Sequence, residues 1–340
     1  MNEPERAVAD DPARDRIQDE LTALHQARDA INDEVVGQPQ VVDQMLIALL
    51  CGGHVLIESA PGLGKTLLVR TMGTVMGMDF SRIQFTPDLM PADITGTVVL
   101  DGSSGEARTG RFQPGPIFAQ MVLADEINRA TPKTQSALLE AMQERTVTVA
   151  GHRHELPSPF FVLATQNPIE MEGTYVLPEA QIDRFFFKVV LPFPEVDVLD
   201  AILGRTTGAE TDRLERRIEP DAIVRLQVLT REVPIASHLR RAVANFVRST
   251  QPGVDDADGD VQRYVLYGVS PRGAQALVLA AKARALVEGR YAVAADDLRA
   301  VALPALRHRL QRNFEGDAAD LDMETLTMRL LDAALRSAAA

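Results

Sequence analysis

The octet Ser59-Ala60-Pro61-Gly62-Leu63-Gly64-Lys65-Thr66 follows a short apolar run, His54 to Ile57, and enters the helical pattern L-L-V-R-T-M. This is the strand, loop and helix setting of a phosphate-binding loop. Gly62 and Gly64 permit backbone conformations closed to other residues, so successive N–H groups can turn toward a polyphosphate at a helix N-terminus. Lys65 is expected to reach the β- and γ-phosphates, and the Thr66 hydroxyl to bind Mg²⁺. The pattern G-x-x-x-x-G-K-[ST] begins with glycine; this chain has Ser59 at that position.

Cleaving a bound nucleotide also takes a metal-directed carboxylate and a group that positions water. Met121 to Glu126 is an apolar strand ending in two carboxylates. Neighbouring side chains on a strand diverge, so Asp125 is directed toward Mg²⁺ through its water, and Glu126 toward the attacking water. The next strand, F-F-V-L-A-T-Q-N, ends at Asn167, an amide able either to hold that water from the opposite side or to serve as a turn residue before Pro168.

Two arginines can meet the charge of a phosphoryl transition state. Arg184, in E-A-Q-I-D-R-F-F-F, lies at a helix end before an apolar strand, with Glu179 and Asp183 as alternative local partners. In V-S-P-R-G, Ser270 reads as an N-cap and Pro271 as the first helical residue. Arg272 then opposes the helix dipole and calls for an anion, either an ATP phosphate or a local carboxylate.

The elements that must position these groups follow a regular rhythm. A helix over 15–30 and another over 41–50 precede the loop. Strands over 81–85, 121–124 and 160–165 alternate with helices over 66–76 and 132–143. Continuous apolar strands between helices predict a parallel sheet covered on both faces. Two hairpins interrupt the rhythm, one around D-G-S-S-G and one around Ala150-Gly151; they suit partner contact or surface decoration equally. After Leu191 to Glu195 the strand signals stop, which predicts a domain boundary near Pro194. Helices are expected over 196–205, 220–231, 236–249, 271–287, 296–312 and 323–338, with the acidic stretch 251–260 as a solvated loop. The expected organisation is a disordered lead-in over 1–14, an α/β nucleotide-binding core over 15–194 and an all-α lid over 195–340.

The chain has 340 residues, 46% of them hydrophobic, and a formal charge of −13. That length favours two domains, and the acidic balance argues against nucleic acid or anionic membrane as a general partner. One cysteine, Cys51, sits in an apolar run, as expected of a buried, reduced thiol. No run approaches the roughly 20 apolar residues of a membrane span and no signal-like segment is present, so a cytoplasmic protein is expected.

The segments Q-F-T-P-D-L-M-P-A-D-I-T-G, P-G-P-I-F-A, L-A-D-E-I-N-R-A-T-P-K-T-Q-S-A-L-L-E-A-M-Q-E, A-T-Q-N-P-I-E-M-E-G-T-Y and L-P-E-A-Q-I-D-R-F resemble the MoxR family of AAA+ ATPases. They cover 35–194 densely, with S-P-R more thinly beyond. The resemblance implies an AAA+ P-loop core followed by a helical lid. It makes Lys65 and Thr66 part of Walker A, Asp125 and Glu126 Walker B, Asn167 sensor 1 and Arg272 sensor 2. Arg184 matches the arginine finger that acts on the ATP of an adjacent subunit, and Val36 and Gly37 match the segment beside adenine. The hairpins match insertions within helix 2 and before sensor 1. Val176 stands where the family usually has proline.

The function so implied is ATP hydrolysis to ADP and phosphate with Mg²⁺, in a homo-oligomeric ring expected to be a hexamer. The ring would remodel, mature or activate a client or adaptor protein, often one with a von Willebrand factor A domain. The alternatives are a motor subunit for metal insertion resembling the AAA+ subunit of magnesium chelatase, and a non-catalytic ATP-dependent assembly switch.

Overall fold

The structure, a computed structural model, describes residues 12–101, 109–167, 174–207, 214–255 and 257–339. Residues 102–105 of the hairpin turn D-G-S-S-G, the whole P-I-E-M-E-G segment and the lead-in through residue 11 lie outside these residues. Helices α1 (Pro12–Glu34) and α2 (Pro39–Leu50) lead to β1 (Val55–Glu58), α3 (Lys65–Val75), β2 (Phe80–Gln84) and α4 (Pro91–Thr95). The hairpin β3 (Gly96–Asp101) and β4 (Thr109–Pro114) precedes β5 (Met121–Asp125) and α5 (Pro132–Glu144). A second hairpin, β6 (Thr146–Val149) and β7 (His152–Glu155), precedes β8 (Phe161–Gln166), α6 (Glu179–Ile182) and β9 (Phe187–Val190). The remainder holds α7 (Val196–Thr206), α8 (Pro220–Glu232), α9 (Ser237–Ser249), α10 (Gly259–Tyr264) and β10 (Val265–Tyr267). It closes with α11 (Pro271–Val287), α12 (Ala295–Leu306), β11 (Gln311–Arg312), α13 (Phe314–Ala318) and α14 (Met323–Ala339).

Five strands form one sheet in the order β2-β5-β8-β1-β9, and every pairing is parallel. All five residues of β5 and the first five of β8 are buried, as a sheet covered on both faces requires. The common direction gives the sheet two unlike edges. Glu58, Gln84, Asp125 and Gln166 mark the carboxyl edge, and the residues leading into β1 and β9 mark the amino edge.

The hairpins are separate two-stranded ribbons. An aromatic cluster joins them: Phe112 of β4 stacks on His154 of β7 with ring centroids 3.8 Å apart, and Phe118 meets both rings edge-on.

The expected boundary near Pro194 falls between β9 and α7, but the apolar core does not stop there. One cluster runs from α1, α2, α3 and one sheet face into α8, α9, α11, α12 and α14, while a second lies under the other face and the hairpins. Three expectations need correction. The first helix starts at Pro12, inside the expected lead-in. The helix expected over 296–312 ends at Leu306, two residues after Pro304, so that Gln311 and Arg312 can pair with β10. The acidic stretch is not simply solvated, because Asp258 and Asp260 both accept from Arg329 of α14.

His54 shows how tightly the amino edge is packed. Its Nδ1 accepts from the Val162 N–H and its Nε2 donates to the Met142 carbonyl, which fixes one neutral tautomer. Burial first, with Arg145 adding to it, lowers its pKa from 6.5 to about 4. The unfolded chain therefore takes up a proton before the folded one does, so stability is lost as pH falls from about 6.5 toward 4. The full effect is on the order of 3 kcal/mol. Thermal midpoints measured across that range are expected to fall less steeply for His54→Asn than for the wild-type chain, even though the variant starts lower.

Candidate functional site

The phosphate loop, Asp125, Glu126 and Asn167 are carried by the carboxyl edge or by the loops that leave it. The backbone N–H of Ser59 donates to Gln166 O and its hydroxyl to Ala60 O, so the side chain is buried and locally satisfied. Ser59 is not among the positive-φ residues, which explains why glycine is not required there. Gly62 and Gly64 do lie at φ 81° and 75°, with open space where a Cβ would project. The N–H groups of Gly62, Leu63 and Gly64 find no backbone acceptor among the described residues. Lys65, the first residue of α3, makes no ion pair among the described residues, and the Thr66 side chain is exposed. A ring of free donors, an unpaired ammonium and a helix N-terminus form an anion cradle.

Val36 and Gly37 flank this loop from the side. Gly37 has φ 78°, and a Cβ there would stand 2.2 Å from Val198 Cγ1, so glycine lets α7 close over the segment. Gln38, which motif reading passed over, donates to Leu63 O at 3.4 Å and leaves its Oε1 buried without a partner. An exocyclic amine such as that of adenine would satisfy it.

Asp125 and Glu126 diverge as expected, but by a backbone device that no motif announces. Glu126 adopts the left-handed conformation, φ 58° and ψ 51°. Buried Thr165 on the neighbouring strand ties the pair together: its hydroxyl donates to Asp125 Oδ1 at 2.7 Å and accepts the Glu126 N–H at 2.8 Å. Glu126 Oε2 accepts from Gln84 and from Arg129. Asn167 follows β8 at the same edge and is buried.

For a divalent cation the chain offers a hydroxyl at Thr66 and a carboxylate at Asp125. Among the described residues no group of three or more His, Cys, Asp or Glu could hold a metal by itself. Two hard oxygen donors completed by nucleotide phosphates and water suit Mg²⁺, which keeps much of its hydration.

Arg184 and Arg272 stand elsewhere. Asp183 caps α6 ahead of β9, so both arginines belong to the amino edge. The four residues of β1 alone separate the two edges by about 13 Å. Arg184 is exposed and makes no ion pair among the described residues. Arg272 finds the local carboxylate, Asp183, at 3.5 Å. Within one protomer Arg272 therefore stands with Arg184 and not with Lys65. Both open onto a cleft of about 890 Å³ whose walls also carry Arg145, Arg231, Arg240 and Lys282.

Arg309 holds this edge in place. It donates to Asp183 Oδ1 at 2.7 Å and to the carbonyls of Asp183, Phe185, Phe186 and Ala305. The helical region thus staples the loop that carries Arg184. The Arg309 side chain is 2% exposed, so removing the cation withdraws a buried donor from Asp183 and from four carbonyls, leaving Asp183 to Arg272 and Phe185 O to His308. Arg309→Met is expected to cost on the order of 3 kcal/mol in chemical denaturation, with Arg309→Lys recovering only part.

Comparison with known proteins agrees with this architecture. The family described as "ATPase family associated with various cellular activities (AAA)" matches residues 54–187, and "AAA lid domain" matches residues 258–326. The chain is 41% identical to "Chaperone MoxR1" of Mycobacterium tuberculosis, over 92% of this chain and 82% of the relative. It is 41% identical to the uncharacterized protein YeaC of Bacillus subtilis, over 91% and 93% respectively. "Protein MoxR" of Paracoccus denitrificans is 31% identical over 94% of this chain and 96% of its own length. A solved structure from Cytophaga hutchinsonii superposes with a TM-score of 0.88 at 35% identity, covering 94% of this chain and 97% of that one.

Proposed function

Because the chain belongs to the MoxR family of AAA+ ATPases, we propose that it hydrolyses ATP at a site shared between copies and uses the cycle to remodel client proteins. The observation that carries this reading is the separation of the two functional edges. The cradle of Ser59 to Thr66 and the carboxylates lie at one edge, and the unpaired Arg184 at the other.

In this reading the loop amides and Lys65 bind the phosphates, with Gln38, Val36 and Gly37 beside the base. Mg²⁺, held through Thr66 and the water around Asp125, neutralises phosphate charge when bound. Glu126 orients a water molecule and accepts its proton, and Asn167 holds that water from the other side. Arg184 of the adjoining copy meets the charge that develops on the transferred phosphoryl group, with Arg272 next to it. No covalent intermediate is formed; positioning and electrostatics supply the catalysis.

Assembly into a closed ring, proposed to be hexameric, gains support from the surface. Val176, Phe193 and Val196 are each more than 70% exposed, apolar side chains that a neighbouring copy could cover. The client is proposed to be a protein, in keeping with the chaperone name of the mycobacterial relative; a von Willebrand factor A domain is the proposed adaptor. Among the described residues no helix is long and apolar enough to cross a membrane. The proposed location is the cytoplasm.

Shared sites make a complementation experiment decisive. Lys65→Ala and Arg184→Ala are each expected to fall by about 10³-fold or more in turnover, yet their mixture should regain a measurable fraction, since a Lys65→Ala copy still offers Arg184 to its neighbour. No recovery in mixtures shown by sedimentation to co-assemble would count against the shared site. Glu126→Gln should bind ATP with near wild-type affinity while turnover drops at least a hundredfold; turnover at the wild-type rate would relieve Glu126 of its role.

A further inference from the structure

Both carboxylates of the site are already engaged within the protomer, and besides Thr165 and Arg129 each accepts from a side chain of β2. Arg82 and Gln84 stand two residues apart on β2 and so share a face. Register places β2 beside β5, with Gln84 opposite Asp125. One nitrogen of Arg82, Nη2, donates to Asp125 Oδ2 at 2.6 Å and to Gln84 Oε1 at 2.7 Å. Gln84 Nε2 then donates to Glu126 Oε2 at 2.8 Å. An unbroken chain runs from Asp125 through Arg82 and Gln84 to Glu126.

We infer that Arg82 is an internal cation that competes with Mg²⁺ for Asp125, so that arrival of the metal frees Arg82 and slackens the hold of Gln84 on Glu126. This rests on the nucleotide-site reading above. Asp125 has one oxygen fixed and one contested: Thr165, which is buried, keeps Oδ1, while the contact at Oδ2 comes from a side chain that is 46% exposed. A guanidinium and a hydrated divalent cation cannot both occupy Oδ2, since like charges at that distance repel. An exposed arginine also has solvent to swing into, and exposed pairs are weak enough to be displaced. Arg129, which donates to the same Glu126 oxygen as Gln84, keeps the carboxylate from being released outright. Arg82 is thus a positioning residue that sets how much Mg²⁺ the site demands.

The test is a binding measurement on the full chain, with a fluorescent ATP analogue titrated by Mg²⁺ at fixed nucleotide. Arg82→Gln is expected to lower the half-saturating Mg²⁺ concentration about three- to tenfold, the range of a modest charge-assisted contact. Arg82→Lys, which keeps the charge, should stay near the wild-type value. In EDTA all three should bind the analogue equally. Equal Mg²⁺ demand in wild type and Arg82→Gln, or a difference that persists in EDTA, overturns the competition while leaving the nucleotide site intact. A wild-type chain that binds no analogue at any Mg²⁺ concentration overturns the functional reading and this inference together.

Discussion

The polarity of one parallel sheet governs the rest of this structure. Five strands running in one direction give an edge rich in loops that lead away from carboxyl ends, and an opposite edge where strands begin. The phosphate loop, Asp125, Glu126 and Asn167 leave the first edge; Asp183 and Arg184 approach the second. Strand length alone keeps the two sets apart, and loop rearrangement at either end cannot bridge a sheet. In the proposed reading, a polyphosphate seated at one edge meets the Arg184 of another molecule.

Each edge has a buried side chain that makes several bonds to it. At the carboxyl edge Thr165 fixes Asp125 and supports the left-handed turn at Glu126, a conformation that a glutamate adopts only when its surroundings hold it. At the amino edge Arg309 uses all three of its nitrogens on the loop around Asp183 and on the end of α12, the helix it follows. His308 adds a bond between its Nε2 and the Phe185 carbonyl. Because Arg309 and His308 follow α12, the helical region anchors the backbone on both sides of Arg184, and one apolar cluster continues beneath both parts.

Much of this was legible in the chain. The parallel sheet, the phosphate loop and the paired carboxylates each depend on residues close in sequence, where apolar runs, glycines and caps report directly on the backbone. The supporting residues were not legible, because their meaning arises between distant segments. Thr165 lies 39 and 40 residues from its partners, Arg82 lies 43 from Asp125, and Arg309 lies 126 from Asp183. An arginine on a strand or a threonine inside a hydrophobic run carries no local signature of such a bond. The place of Arg272 was legible only as a choice between anions, and tertiary packing supplied Asp183. Helical periodicity beyond Leu306 misled for a similar reason, since pairing with β10 overrides local preference.

The stacked rings of Phe112 and His154 bind together two insertions that the chain makes more than 30 residues apart. Neither ribbon joins the central sheet, so each taken singly would be a loosely tethered arm. Joined at the base, they brace one another: β3 packs on α4 and β6 on α5, so neither ribbon can shift without disturbing the rings that link it to the other.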